Sequence, residues 1–367
     1  MPYSIICLLL TLWGLCACTG IHKATRLGDT IQYGTVGVSL NQPARDSIML
    51  HYMGCSGFLI RKGDQAILHD PFFSNTGPLL TSPFQTISSD TSSIIAFFQS
   101  IFPAGTDTQG LIKLLLISHT HYDHMMDAPF IYHNILNQDT LLMLGNKSMT
   151  RIMQLSHQDG HGDTGASGHI VSTQDHLTQA DSVGQSYSSR NGKIRILPIA
   201  TEHAPHFFCI HLFKGEVKTR KTSLPKKVCQ WKEGVNIAYL IAFLAPLGEV
   251  EFRLHISGAA ASPPGGFVPK SVLDAHPIDL AIICVASQGY VKNYPEGLLQ
   301  HLRPRHLLLS HWENFFRPVS QLKTQARVVP LTNVKRFLKK VTKVTSAFRD
   351  SLGWTMPNPG TTIVIRF

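Results

Sequence analysis

The segment that most constrains this chain is Leu111–Ser118, LIKLLLIS, apolar except for Lys113 and the closing serine and followed at once by HTHYDH. A near-continuous apolar run of that length reads as a strand covered on both faces, the kind found in parallel sheets with helices outside. Its C-terminal end carries four metal-capable side chains within six residues: His119, His121, Asp123 and His124. Such groups at the end of a buried strand need a partner, because an unpaired buried polar or charged group is costly. In an extended or turning segment, residues two apart project the same way, so His119 and His121 can converge on one ion. Asp123 and His124, just past the turn, can face a second. Imidazole and carboxylate suit Zn²⁺, and an imidazole with a pKa of about 6.5 is in its neutral, ligating form at neutral pH.

The rest of the chain supplies a scaffold for that segment. Apolar residues make up 43% of the 367 positions, enough for a sizeable core, so wholesale disorder is excluded. Strand signals recur at SIMLHYMG, CSGFLIRKGDQAILHD, KIRILPIAT, HFFCIHLF, VNIAYLIAFLA, VEFRLHIS, DLAIICVA, RHLLLSH and TTIVIRF. Residues 76–110 are polar around one short helix, SIIAFFQSIF. Residues 155–185, rich in Gly, Ser, Asp and His, read as an elaborated loop insertion. Gly160, Gly162 and Gly165 lack the leading strand that a nucleotide-binding loop requires. No repeat or composition break divides the chain, so residues 47–367 read as one domain. The 19 histidines are then either scatter or, in part, ligands.

H-x-H-x-D-H after a hydrophobic strand resembles the signature of the metallo-β-lactamase superfamily, and the resemblance extends along the chain. MLHYMGCSGFLI and ILHDPFFSN are similar to the opening strands and D-P turn of its broad hydrolase branch. ILPIATEH puts His203 where the third ligand of the first metal is expected. HLLLSHWENF resembles the closing strand–His–Trp motif and nominates His311 for the second metal. The resemblance implies an α+β fold, a four-layer αβ/βα sandwich, with His119, His121 and His203 on one zinc ion and Asp123, His124 and His311 on another. His206 competes with His203, which is preferred as nearest the strand end; His306 competes with His311 but lies inside its strand. Many members carry Gly-Asp at a position that bridges both metals, whereas this chain reads Ser257-Gly258-Ala259-Ala260. Ala259 therefore stands where a bridging aspartate is expected, which weakens the case for the second ion. A subclass of zinc β-lactamases is similar in lacking that carboxylate.

The implied chemistry is hydrolysis by a zinc-activated hydroxide, since a metal-bound water has its pKa lowered toward about 7. Asp123 would orient the nucleophile, and His206 or Tyr122 would donate to the oxyanion or leaving group. The motifs are most similar to the branch containing N-acylphosphatidylethanolamine phospholipase D and the ascorbate-phosphate lactonase. They imply a phosphodiester or phosphorylated or lactone substrate, small or lipid-like. The alternatives are a degenerate, non-catalytic metal-binding lipoprotein, a nuclease and a β-lactam hydrolase.

The N-terminus adds an address. An apolar run over 5–15 ends in Leu15-Cys16-Ala17-Cys18, too short to span a bilayer but suited to a signal peptide. It resembles a bacterial lipobox, although no Lys or Arg precedes Lys23. The expectation is a signal peptide over 1–17, lipidation at Cys18, a linker over 18–46 and a periplasm-facing, membrane-anchored enzyme; the competing reading is an uncleaved leader on a cytoplasmic protein. Cys55, Cys209, Cys229 and Cys284 then remain, without a C-x-x-C, and read as free buried thiols rather than disulfides. The net charge of +10 concentrates in 214–232 and in 333–349, the latter an amphipathic helix with a basic outer face. Without interleaved aromatics or a recognition motif, that face suits anionic headgroups better than nucleic acid.

Overall fold

The computed structural model describes residues 47–75, 84–102, 108–136, 141–158, 169–206, 209–218, 223–317, 326–348 and 354–367. The leader, Cys18 and the linker lie outside the described residues, as does 159–168 of the expected loop insertion. The described strands are β1 (Ser47–Gly54), β2 (Gly57–Lys62), β3 (Gln65–His69), β4 (Ile112–Leu116), β5 (Leu142–Gly145), β6 (Ile170–Ser172) and β7 (Tyr187–Ser188). They continue as β8 (Ile194–Thr201), β9 (Asn236–Leu244), β10 (Val250–Ile256), β11 (Leu280–Cys284), β12 (His306–Ser310), β13 (Trp354–Thr355) and β14 (Thr362–Arg366).

They form two seven-stranded mixed sheets, β14-β1-β2-β3-β4-β5-β6 and β13-β12-β11-β10-β9-β8-β7. Each sheet has an antiparallel half and a parallel half: β3 to β6 pair in parallel, as do β10 to β13. Strand periodicity decides what lies between them. On β4, Leu114 and Leu116 join Ile237, Tyr239 and Ile256 of the other sheet in one core, while Leu115 and Ile117 join the core under the outer helices. The second outer core lies beneath Glu296–Leu302 and Val334–Thr345 and includes Leu299, Leu302, Phe337 and Val341. Helices therefore cover both outer faces, and the four-layer αβ/βα sandwich is the observed fold.

Local chemistry accounts for the helices. In Thr91–Ile101 the Asp90 carboxylate accepts the Ser93 N–H at 3.0 Å and so caps the first turn, while Ile94, Phe98 and Ile101 are buried. In Val334–Thr345 the Asn333 side chain accepts the Arg336 N–H at 2.9 Å. Phe337, Val341 and Val344 turn inward, while Lys335, Arg336, Lys339 and Lys343 are exposed. Lys340 departs from the expected outer face: it donates to the Tyr294 carbonyl at 2.9 Å and pairs with Glu296 at 3.3 Å.

One expected strand is not observed. HFFCIHLF does not form a strand among the described residues; the His206 N–H donates to the Ile210 carbonyl at 2.9 Å. Its apolar alternation instead serves a loop that folds over the strand ends, with the Phe213 ring 6.3 Å from His121. On either side of 159–168, a helix runs Lys147–Gln158 and β6 adds to the sheet edge.

Candidate metal centre

The parallel strands of both sheets end at one edge of the sandwich, where α/β architectures gather functional side chains. Asp70 follows β3, Ser118 to His124 follow β4, His203 and His206 follow β8, Gly258 and Ala259 follow β10, and His311 and Glu313 follow β12. Cys55 enters from the β1–β2 turn. The edge is stitched across the sheets, since the Ile237 N–H donates to the Ser118 carbonyl and the Thr120 N–H to the Glu233 carbonyl, both at 2.9 Å.

His119, His121 and His203 bring one ligand atom each within a mutual 4.8 Å, with ring centroids 4.8 to 5.0 Å apart. The outer nitrogens are engaged. His203 Nδ1 donates to the Ala204 carbonyl at 2.6 Å. His119 Nδ1 meets Ser118 Oγ at 3.0 Å, and the Ser118 hydroxyl donates onward to Asp70. The Nε2 atoms of His119 and His121 are buried with no hydrogen-bond partner, the condition that an ion would relieve. Burial, reinforced by neighbouring imidazoles, pushes His119 and His203 well below the ordinary histidine value and His121 down to about 3. The three rings are neutral, as ligation requires.

A second group forms beside the first. Asp123 Oδ2 lies 3.5 Å from both His124 Nε2 and His311 Nε2. Burial alone would raise the Asp123 carboxyl, but His124 and a hydrogen bond from His311 hold it well below the usual carboxylate range. Burial likewise opposes a charge on His124, but the Asp123 and Asp70 carboxylates outweigh it and raise its pKa. The group whose ligand atoms fall within 4.8 Å of one another is Cys55, Asp123 and His311. His124 adjoins it through Asp123.

Asp70, which the sequence offered only as part of a D-P turn, organises both groups. Its carboxylate accepts the Ser118 N–H at 2.7 Å and His124 Nδ1–H at 2.8 Å, and reaches His119 through the Ser118 hydroxyl. A carboxylate behind a ligating imidazole fixes its tautomer and leaves Nε2 for the metal. Gly258 lets the end of β10 approach this pair: a Cβ there would sit 2.3 Å from Ser118 Oγ and 2.9 Å from Asp70 Oδ2. Its neighbour Ala259 is buried and offers only a methyl group.

The remaining candidates separate. The His206 ring stacks on His203 at 4.8 Å, and its Nδ1 accepts the Leu212 N–H at 3.1 Å. Burial pushes His206 down to about 4. The Tyr122 ring is buried in the outer core, edge-on to Phe72 at 5.9 Å. His306 is exposed at the opposite end of β12 from His311. All four described cysteines are free; Cys55 and Cys284 are buried, but Cys209 is exposed and Cys229 half-buried.

No protein-family model matches the chain, and no curated protein matches it. Solved structures do. Igni18, a metallo hydrolase from the archaeon Ignicoccus hospitalis, is 14% identical, with a TM-score of 0.47 over 88% of this chain and 99% of its own. An isothiocyanate hydrolase from Delia radicum gut bacteria is 10% identical, with a TM-score of 0.44 over 87% and 100%. A Thermotoga maritima protein assigned to the metallo-β-lactamase superfamily is 11% identical, with a TM-score of 0.32 over 80% and 84%. The two facing mixed sheets and the helices on both outer faces give this chain the four-layer αβ/βα sandwich of the metallo-β-lactamase fold.

Proposed function

We propose that this chain is a zinc-dependent hydrolase acting on a phosphodiester, phosphorylated or lactone substrate. The observation that carries the reading is the pair of buried, partnerless nitrogens on His119 and His121 beside His203 and an ionised Asp123. His119, His121 and His203 would hold one ion; Asp123, His124 and His311 would contribute to a second. Bound zinc supplies Lewis acidity, lowering the pKa of a coordinated water to about 7 and polarising the substrate oxygen.

The chain's own residues do the rest. Asp123, ionised, accepts a hydrogen bond from the attacking water and orients it. The Leu212 N–H occupies His206 Nδ1, so the neutral ring carries its proton on Nε2 and can donate to the developing oxyanion or the leaving group. His206 is a better donor candidate than Tyr122, whose ring packs in an apolar cluster.

The phosphate-bearing substrate class is supported by the motif resemblance and by the exposed Lys335, Arg336, Lys339 and Lys343. We further read Cys18 as a lipidation site that holds the enzyme at the periplasmic membrane surface, with the basic helix face toward anionic headgroups. No helix among the described residues is long and apolar enough to cross a membrane. Incorporation of labelled palmitate that survives Cys18→Ala overturns the anchor.

The test of function is a panel of phosphodiester, lactone and β-lactam substrates with the zinc-loaded protein. Asp123→Ala is expected to lower activity on the preferred substrate by roughly 10²–10⁴-fold, the range for loss of a positioned acid–base group. Equal activity in the two proteins contradicts the mechanism. Ala259 favours a second reading, a degenerate metal-binding lipoprotein, which predicts no turnover on any substrate.

A further inference from the structure

We propose that Cys55 is a thiolate ligand at the second metal position, taking over part of the role of the carboxylate that Ala259 does not supply. The inference rests on the metal-dependent reading above and deepens it. Cys55 Sγ, an Asp123 carboxylate oxygen and a His311 ring nitrogen all lie within 4.8 Å of one another, and the three residues are 0%, 7% and 6% exposed. Of the two His311 nitrogens, Nε2 approaches Asp123 at 3.5 Å while Nδ1 is buried with no hydrogen-bond partner. The ring is thus not fully satisfied by hydrogen bonds within the protein, and one of its nitrogens lies within reach of the thiol.

The backbone points the same way. Cys55 (φ 52°) and His311 (φ 55°) both adopt the left-handed region, which non-glycine residues enter at a cost and which clusters at functional sites. One buried set of groups holds both in place. Glu313 accepts the Cys55 N–H and the Tyr52 hydroxyl, the latter at 2.5 Å, and Tyr52 Oη accepts the His311 N–H at 2.9 Å. A thiol that merely filled space would not require the turn before β2 and the turn after β12 to share an anchor. The Cys55–Glu313 link spans 258 positions of sequence.

Coordination is balanced without a redox step: the S–H bond breaks, the proton leaves to solvent, and a metal–sulfur bond forms. A thiolate, imidazole and carboxylate set favours zinc or cobalt over magnesium or calcium, which prefer oxygen ligands.

Cobalt reads this directly. The metal-free full chain, titrated anaerobically with Co²⁺, is expected to show visible d–d bands from the histidine group. A sulfur-to-cobalt charge-transfer band in the near ultraviolet should then grow with the second equivalent. Cys55→Ser should abolish that band, keep the visible bands and weaken the second equivalent by roughly 10–100-fold or more; Cys284→Ser should keep both. Visible bands without a charge-transfer band in the unaltered chain, or a band undiminished in Cys55→Ser, overturn the assignment of Cys55 while leaving the metal centre intact. No cobalt band of either kind overturns the metal-dependent reading itself. Should Cys55→Ser fail to fold, X-ray absorption on the unaltered cobalt-loaded chain decides the matter, a sulfur neighbour at about 2.3 Å being expected and its absence being contradictory.

Discussion

The two groups at the sandwich edge are built on opposite principles. His119, His121 and His203 form an all-imidazole set, with the outer nitrogens of His119 and His203 turned away onto Ser118 and the Ala204 carbonyl. Cys55, Asp123 and His311 form a mixed set, two of them on left-handed backbone and both of those tied to Glu313 and Tyr52. The first group follows from the pitch of one extended segment plus one strand end. The second exists only because turns far apart in the chain meet.

The largest expected effect separates the groups outright. His121→Ala should remove the first ion and most of the zinc-induced rise in melting temperature, a rise worth about 3–4 kcal/mol when zinc exceeds its dissociation constant 100- to 1,000-fold. Metal analysis and calorimetry on the purified variant read this. Asp70→Asn should weaken both ions by roughly 10–100-fold, because Asp70 supports His124 directly and His119 through Ser118. An effect confined to one ion would show that the groups do not share this carboxylate. Gly258→Ala, whose Cβ has no room beside Ser118 and Asp70, should cost roughly 1–3 kcal/mol of stability, as overpacking does; denaturant titration of the metal-free protein measures it.

The pH dependence of the metal-free protein is a matter of sign. In the metal-free protein His121 lies near 3 and His206 near 4, with His119 and His203 also depressed by burial, against about 6.5 when unfolded. The unfolded chain therefore binds more protons across that interval, so stability is lost as pH falls from about 7 toward 4. His124, raised by Asp123 and Asp70, works oppositely: its contribution is present below 6.5 and lost as pH rises through its folded value. Burial also depresses His69 and His255, so six depressed rings oppose one raised ring, and the melting temperature of the metal-free protein should fall on acidification. His124→Asn should steepen that fall.

The sequence made the all-imidazole group legible because its signal is local. HTHYDH sits directly after a buried strand, and His203 and His311 each follow a strand of clear apolar character. The sandwich was legible through the motif resemblance and not through periodicity, because the near-continuous apolar run of β4 leaves open which face meets the other sheet. Cys55, Asp70 and Glu313 were not, because a lone Cys, Asp or Glu in a turn acquires meaning only through register: β3 beside β4 brings Asp70 to Ser118, and the end of β12 brings Glu313 to the β1–β2 turn. The misread strand at 206–213 shows the converse. Its apolar alternation is real, but it serves a loop whose Phe213 packs on His121 rather than a sheet.

On this reading the two adjacent but unlike groups each bind one ion, and loss of the first ligand set leaves the second able to bind. Equilibrium dialysis against zinc, followed by elemental analysis of the unaltered chain and of His121→Ala, tests it most directly. The expected result is two ions per chain in the first and one in the second, held at the Cys55–Asp123–His311 group. No zinc in either protein would contradict the account.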